Sequence, residues 1–236
     1  MTVDAMRERL IFALDYPSLA DARIGASAVS GAVGVLKVGL ELYVAHGPEA
    51  VALGKDYELP VFLDLKLHDI PATVGRAVER VAQLGVRYLT VHASGGEAML
   101  RAAVEAAGSA PEPLDIVAVT VLTSLDDDDL AAQGIASDSR AQATRLAELA
   151  YRAGVRAFVC SAEEVGSLRT ALGPDAILIT PGIRPAGTAS GDQKRVRTPA
   201  AAMTAGASML VVGRAIRDAD DPASAALAIT QEMAEA

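Results

Sequence analysis

The sequence predicts an α/β chain closed into a single (β/α)8, or TIM, barrel, and three observations predict it. First, short apolar runs alternate with alanine-rich helical stretches, eight units in all, with no two strand-like runs in succession. Such alternation means a parallel sheet whose strands are joined by helices. Second, the length of 236 residues is close to the ~250 that a closed barrel needs. An open doubly wound sheet usually has fewer strands, and no Gly-x-Gly-x-x-Gly follows the first strand. Third, polar residues collect where the strands end: Asp15, Lys37, Asp64 with Lys66, His92, Thr123, Ser161, Arg184 and Arg214. The opposite strand ends are mostly Gly, Pro, Arg or Ala. Barrel chemistry sits at the C-terminal strand ends, so this asymmetry predicts one site at one mouth.

The elements follow in order. Strands are expected at Leu10–Leu14, Val33–Val38, Val61–Leu65, Tyr88–Val91, Ile116–Val121, Ala157–Cys160, Ile177–Thr180 and Met209–Val212. Helices are expected between them, for example at Thr73–Leu84, Gly96–Ala107, Arg140–Ala153 and Ala162–Leu172, with Ala223–Ala234 after the last strand. Gly85, Gly108, Gly154, Gly173 and Gly206 stand where helices should stop, as C′ glycines do. The acidic run Asp126–Asp129 suits a solvated loop and a helix N-terminus, where carboxylates meet the positive end of the dipole. No composition shift or Pro/Ser-rich linker divides the chain, so one domain over 1–236 is expected. The polar, Gly-containing stretch Pro185 to Pro199 is long for a loop. It suits either a lid at about 184–198 that excludes water, with Gln193 reaching a ligand, or a solvated loop.

Composition narrows the function. A net charge of −9 argues against a nucleic-acid-binding surface. Trp is absent and aromatics make up 3%, so a base-stacking platform is not expected. Cys160 is the single cysteine, which excludes an intrachain disulfide. Met1 to Leu10 carry no apolar h-region, and no apolar run approaches the ~18 residues of a membrane span. A soluble cytoplasmic protein is the expectation.

The densest chemistry lies in Asp64-Leu65-Lys66-Leu67-His68-Asp69, which closes the apolar run Leu59-Pro60-Val61-Phe62-Leu63. Residues two apart in a strand share a face, so Asp64 and Lys66 point one way while Leu63 and Leu65 point the other. Asp69 follows the strand, and Pro71 suits the start of the next helix. Two carboxylates thus flank one ammonium at the mouth of an apolar layer. Charges taken out of water cost several kcal/mol each, on the order of what pairing returns, so stability alone rarely demands this. Lys66 is the candidate general acid. Asp64 and Asp69 would oppose the drop in lysine pKa that burial causes, and Lys37 would let both carboxylates stay ionised. A structural salt-bridge layer is the alternative.

The ends of strands seven and eight carry Thr180-Pro181-Gly182-Ile183-Arg184 and Val212-Gly213-Arg214. The loops after these strands often form a phosphate site at a short helix N-terminus. Gly213 permits close backbone approach, and Arg214 suits a forked contact to phosphate. His92 fits a satisfied structural histidine as well as a catalytic one. Thr123 and Ser124 suit either a ligand contact or a helix cap. Cys160 suits the core. No His/Cys/Asp spacing suggests a metal site, and no Ser-His-Asp arrangement is present.

Over almost its full length the chain resembles the bacterial orotidine 5′-phosphate decarboxylase family, which acts last in de novo UMP synthesis. The resemblance rests on Leu14-Asp15, Leu36-Lys37-Val38-Gly39, Asp64-Leu65-Lys66-Leu67-His68-Asp69-Ile70-Pro71-x-Thr73, Val91-His92-Ala93, Val119-Thr120-Val121-Leu122-Thr123-Ser124, Thr180-Pro181-Gly182-Ile183-Arg184-Pro185, Gly191-Asp192-Gln193-x-Arg195 and Val212-Gly213-Arg214. Asp-x-Lys-x-x-Asp is shared with sugar-phosphate relatives. The Asp-Ile-Pro-x-Thr extension and the Gly-Asp-Gln motif make the match specific. Ala215 departs from the Pro found in many members, which should affect only the helix start.

The resemblance implies that Lys66 protonates C6 of the pyrimidine as CO2 leaves, with Asp64 beside the departing carboxylate and Lys37 and Asp69 completing the charge array. It implies a homodimer in which Asp69, Ile70 and Thr73 serve the neighbour's site. Asp15 and Lys37 would contact the ribose, and Thr123 the ligand. Arg184, Gln193, Gly213 and Arg214 would surround the phosphate end, Gln193 bridging towards the base, and Pro181 would be a further substrate-binding residue. It implies no metal and no organic cofactor, orotidine 5′-phosphate and UMP as ligands, and no nucleic-acid or membrane partner. Two alternatives differ in testable ways. A relative acting on 3-keto-gulonate 6-phosphate or a hexulose phosphate would need magnesium and an acidic ligand near strand two, where Glu41 lies. A non-catalytic nucleotide-binding barrel would bind UMP without turnover.

Overall fold

A computed structural model describes residues 2–185 and 197–236. Eight strands form: β1 (Leu10–Ala13), β2 (Val35–Gly39), β3 (Val61–Leu67), β4 (Tyr88–His92), β5 (Asp115–Val119), β6 (Ala157–Val159), β7 (Ile177–Thr180) and β8 (Met209–Val212). They pair in parallel in chain order, and β8 closes onto β1. Ile11 of β1 lies in register with Val35 on one side and Val211 on the other. The expected barrel is therefore the observed one.

Period-two alternation sorts each strand into two apolar layers. Ile11, Ala13, Val35, Phe62, Val117 and Ile179 fill the barrel interior. Leu10, Phe12, Leu36, Leu63, Leu89 and Phe158 pack outward with the helices. Both faces of the sheet are covered, which is why the strands read as nearly unbroken apolar runs. Each fully buried Leu or Phe contributes ~1.5–3 kcal/mol. The interior layer also forms the floor on which the site is built.

Element ends differ from the sequence expectation by up to three residues, and some differences have physical causes. The helix expected at Ala162–Leu172 begins at Val165, because the residues before it make a turn. In that turn the Ser161 N–H donates to the buried Glu164 carboxylate at 2.8 Å. The helix expected at Thr73–Leu84 starts earlier, at Pro71, and runs to Val81 before a 3-10 turn over Ala82–Leu84. Pro71 occupies the first turn, where a missing N–H costs nothing. Gly85, Gly154, Gly173 and Gly206 adopt positive φ after their helices, as expected. Gly108 does not; its φ is −64°. The helix Glu97–Ala107 tapers through Ser109 N–H to Ala106 O and Ala110 N–H to Ala107 O instead of reversing.

The acidic run does cap a helix. Asp126 and Asp129 bond each other's backbone N–H groups in a reciprocal capping box that opens Asp127–Ala132. Thr123 and Ser124 therefore are not its caps. Among the described residues no helix is long and apolar enough to cross a membrane. Most of the expected lid, including Gln193 and Gly191, lies outside the described residues.

Candidate active site

The C-terminal strand ends surround a cavity of about 420 Å³. Its floor includes Ala13, Phe62, Val159 and Val211. The expected residues Asp15, Lys37, Asp64, Lys66, Thr123, Pro181, Arg184, Gly213 and Arg214 all line it. Strand-end placement thus brings together residues more than 190 positions apart in the chain.

One wall carries a row of alternating charge. Asp15 follows β1, Lys37 lies on β2, and Asp64 and Lys66 lie on β3. Lys37 Nζ is 3.0 Å from Asp15 Oδ1 and 3.8 Å from Asp64 Oδ2. Lys66 Nζ is 2.8 Å from Asp64 Oδ2. The inner members are the most buried: side-chain exposure is 11% for Lys37 and 15% for Asp64, against 49% for Asp15. Burial alone would raise the Asp64 carboxyl. The Lys37 and Lys66 ammoniums, with hydrogen bonds from Lys66 and Thr90, outweigh it and hold Asp64 below the ordinary carboxylate range. Gly39, at the end of β2, leaves room for the row. A Cβ there would stand 3.0 Å from Lys37 Nζ and 3.2 Å from Asp15 Oδ1.

The β3 backbone is irregular where the chemistry lies. Leu63 pairs with Leu89 and Leu67 with Val91, so four steps on β3 span two on β4. Lys66 has φ +52°. A left-handed residue with a Cβ costs ~1–2 kcal/mol, and such strain persists where surrounding structure enforces it. Asp64 and Lys66 both face the cavity and Leu65 packs outward, as alternation predicts, although the strand reaches that result through a bulge.

Asp69 is not part of this row within one chain. It is exposed, and its carboxylate accepts the Ile70 N–H at 2.6 Å. The fourth charge beside Lys37, Asp64 and Lys66 is Asp15. Ile70 and Thr73 also lie outside the cavity lining, and Ile70 is 66% exposed. His92 does not line the cavity; its ring packs against His68 at 5.4 Å. Burial, then the charges of His68 and Lys66, lower its pKa, which favours a neutral structural imidazole. Ser161 is fully buried outside the lining, and Cys160 is core.

The wall across from β3 is cationic. Arg184 follows β7; Arg214 and Arg217 belong to the short helix Arg214–Arg217 after β8. Among the described residues the buried Nε of Arg184 has no hydrogen-bond partner. An orphaned guanidinium donor in a cavity wall suits an anionic ligand. Arg217 was not anticipated. Its Nη1 donates to the Asp15 carbonyl at 2.8 Å, and its Nε pairs with Asp218 at 2.6 Å. That hydrogen bond, with the charges of Arg214 and Arg184, lowers the Asp218 pKa. Its placement one helical turn after Arg214 was the available signal. Thr90 was also missed, although an inward polar residue on an otherwise apolar strand is visible in the sequence. Among the described residues no group of three or more His, Cys, Asp or Glu side chains is placed to hold a metal ion.

Fold and site together define a (β/α)8 barrel whose mouth sets a buried acid–base row across from an arginine-rich wall. The family model for the orotidine 5′-phosphate decarboxylase / HUMPS family matches residues 8–229. An orotidine 5′-phosphate decarboxylase of Anaeromyxobacter sp. (strain K) is 54% identical over 222 residues, which cover 94% of this chain and 96% of that one. The enzyme of that name from Thermobifida fusca is 53% identical over 229 residues, covering 97% of each. The crystal structure of orotidine 5′-phosphate decarboxylase from Lactobacillus acidophilus superposes with a TM-score of 0.82 at 34% identity, over 95% of this chain and 98% of that chain. The chain belongs to the orotidine 5′-phosphate decarboxylase / HUMPS family.

Proposed function

We propose that this chain decarboxylates orotidine 5′-phosphate to UMP and CO2, the last step of de novo pyrimidine nucleotide synthesis. The observation that carries the reading is the row Asp15–Lys37–Asp64–Lys66 set across the cavity from Arg184 and Arg214. Arg184, Gln193, Gly213 and Arg214 surround the 5′-phosphate, with Gln193 bridging towards the base, and Pro181 contacts the substrate. Asp15 and Lys37 hold the ribose, and Thr123 contacts the ligand. This fixes the pyrimidine with its C6 carboxylate beside Asp64. The C6–carboxylate bond breaks, CO2 leaves, and the electron pair stays on C6. Lys66 gives its ammonium proton to C6, and the neutral amine regains one from solvent. Ionised Asp64 pairs with the Lys66 ammonium and disfavours the bound carboxylate. The acceleration then comes from charge organised beforehand and from binding energy at the distant phosphate.

The working unit in this reading is a cytoplasmic homodimer. Asp69, Ile70 and Thr73 lie outside their own cavity lining, which supports their serving a neighbour's. Leu40 and Val44, 50% and 80% exposed on the helix after β2, are apolar side chains that a second subunit would cover. The sugar-phosphate alternative loses its particular support, because Glu41 is exposed and outside the cavity lining.

The test is the reaction in D2O with EDTA present. The expected result is one CO2 released per UMP formed, with deuterium at C6. No turnover by a folded sample that binds UMP, together with magnesium-dependent conversion of a 3-keto sugar phosphate, would overturn the reading.

A further inference from the structure

Thr90 of β4 is fully buried. Tyr88 packs with the interior layer and Leu89 and Val91 with the outer one, so Thr90 faces inward, towards the cavity floor. Its hydroxyl makes two bonds. It accepts the Lys66 backbone N–H at 2.8 Å and donates to Asp64 Oδ1 at 3.0 Å. A threonine hydroxyl has one proton, so that proton is committed to Asp64.

The position matters because the β3–β4 ladder is interrupted there. Lys66 sits in the bulge with φ +52°, and the Thr90 oxygen takes the N–H that a regular ladder would have paired with backbone. Asp64 has its other oxygen, Oδ2, on the Lys66 ammonium at 2.8 Å. With Thr90 on Oδ1, both carboxylate oxygens are held and the carboxylate plane is fixed.

We propose that Thr90 is a positioning residue that sets the reactive geometry of Lys66 and Asp64 together, by bonding the backbone of one and the carboxylate of the other. The proposal rests on the decarboxylase reading and adds to it a residue that touches no substrate. Without the hydroxyl, the Lys66 turn loses its acceptor and Asp64 is held at Oδ2 alone, so its carboxylate plane is no longer fixed. The phosphate wall on β7 and β8 is untouched. UMP has no C6 carboxylate, so its affinity should not register the change.

The experiment compares wild type, Thr90→Val and Thr90→Ser by kcat, KM, UMP affinity and the pH profile of kcat/KM. Valine keeps the shape and removes both bonds; serine keeps both. Thr90→Val should lose about 10- to 100-fold in kcat, the scale of a small misplacement at a reacting centre, while UMP affinity stays within about twofold. Its acid limb should move to higher pH, since Asp64 loses a bond that favours its ionised form. Thr90→Ser should recover most of the rate. Wild-type kcat in Thr90→Val, or equal losses in kcat and UMP affinity, or a serine variant as slow as valine, would overturn the proposal. Failure of the wild type itself to turn over orotidine 5′-phosphate would overturn the decarboxylase reading, a different result.

Discussion

Replacing Lys37 by Met tests whether the charge row is one coupled unit. The substitution keeps the buried stem and removes the ammonium between Asp15 and Asp64. At an effective dielectric of ~20, a pair 3.8 Å apart attracts by ~4 kcal/mol and one at 2.8 Å by ~6 kcal/mol. Lys37 thus supplies roughly two-fifths of the gross attraction that Asp64 receives. Most of it offsets desolvation. Breaking a fully buried pair costs ~3–5 kcal/mol. Here Asp64 keeps Lys66 and Asp15 is half exposed, so the net loss should be ~2–3 kcal/mol, set below that range for those reasons. For a chain of this size that is a fall of ~4–12 °C in Tm.

The pH dependence has a definite sign. The Asp64 pKa is depressed in the folded state, so its contribution is present above the unfolded value of ~3.9 and lost as pH falls through the folded one. Removing Lys37 raises the folded pKa and reduces that contribution. Urea titrations at pH 7 and at steps below pH ~3.9 should show a wild-type advantage that is largest at pH 7 and shrinks as pH falls below that value. An advantage that stays constant, or grows towards acid, would refute the coupling.

Other predictions address other parts of the molecule. Arg214→Ala should weaken kcat/KM for orotidine 5′-phosphate by ~10–100-fold, the range of a charge-assisted hydrogen bond, but leave slow turnover of the unphosphorylated nucleoside nearly unchanged; steady-state kinetics on both substrates decide it. Asp126→Ala removes half of the capping box and should cost ~1 kcal/mol in denaturant titration with no change in KM. Phe62→Ala opens the floor beneath the row and should cost ~3–5 kcal/mol, read from the same titrations.

Much of this was legible in the sequence because it depends on period and place. All eight strands were found, since burial on both faces leaves unbroken apolar runs such as Leu10–Ala13 and Met209–Val212. The cavity residues were found because strand ends in a barrel converge. What was not legible depends on contacts between segments. Alternation gave the facing of Lys66 but not its left-handed backbone, which arises where β3 slips against β4 and Thr90 supplies an acceptor. Asp69 is three residues from Lys66 in sequence, yet within one chain it lies outside the row, whose fourth charge is Asp15 at the Lys37 end. Arg217 is not legible because the contact that ties it to the site, from its Nη1 to the Asp15 carbonyl, spans 202 positions. Gly108 shows that a glycine at a helix end permits a left-handed turn without requiring one.

The central claim is that Lys66 delivers the proton to C6 in a decarboxylation that needs no metal. The most direct measurement follows the ultraviolet absorbance of orotidine 5′-phosphate with wild type and Lys66→Ala in EDTA, alongside UMP binding by both. The account predicts rapid conversion by wild type and a loss of at least ~10³-fold in the variant, within the range expected when a proton donor and its charge are removed together. UMP binding should persist in the variant, which reports an intact fold. Turnover by Lys66→Ala at the wild-type rate would contradict the claim.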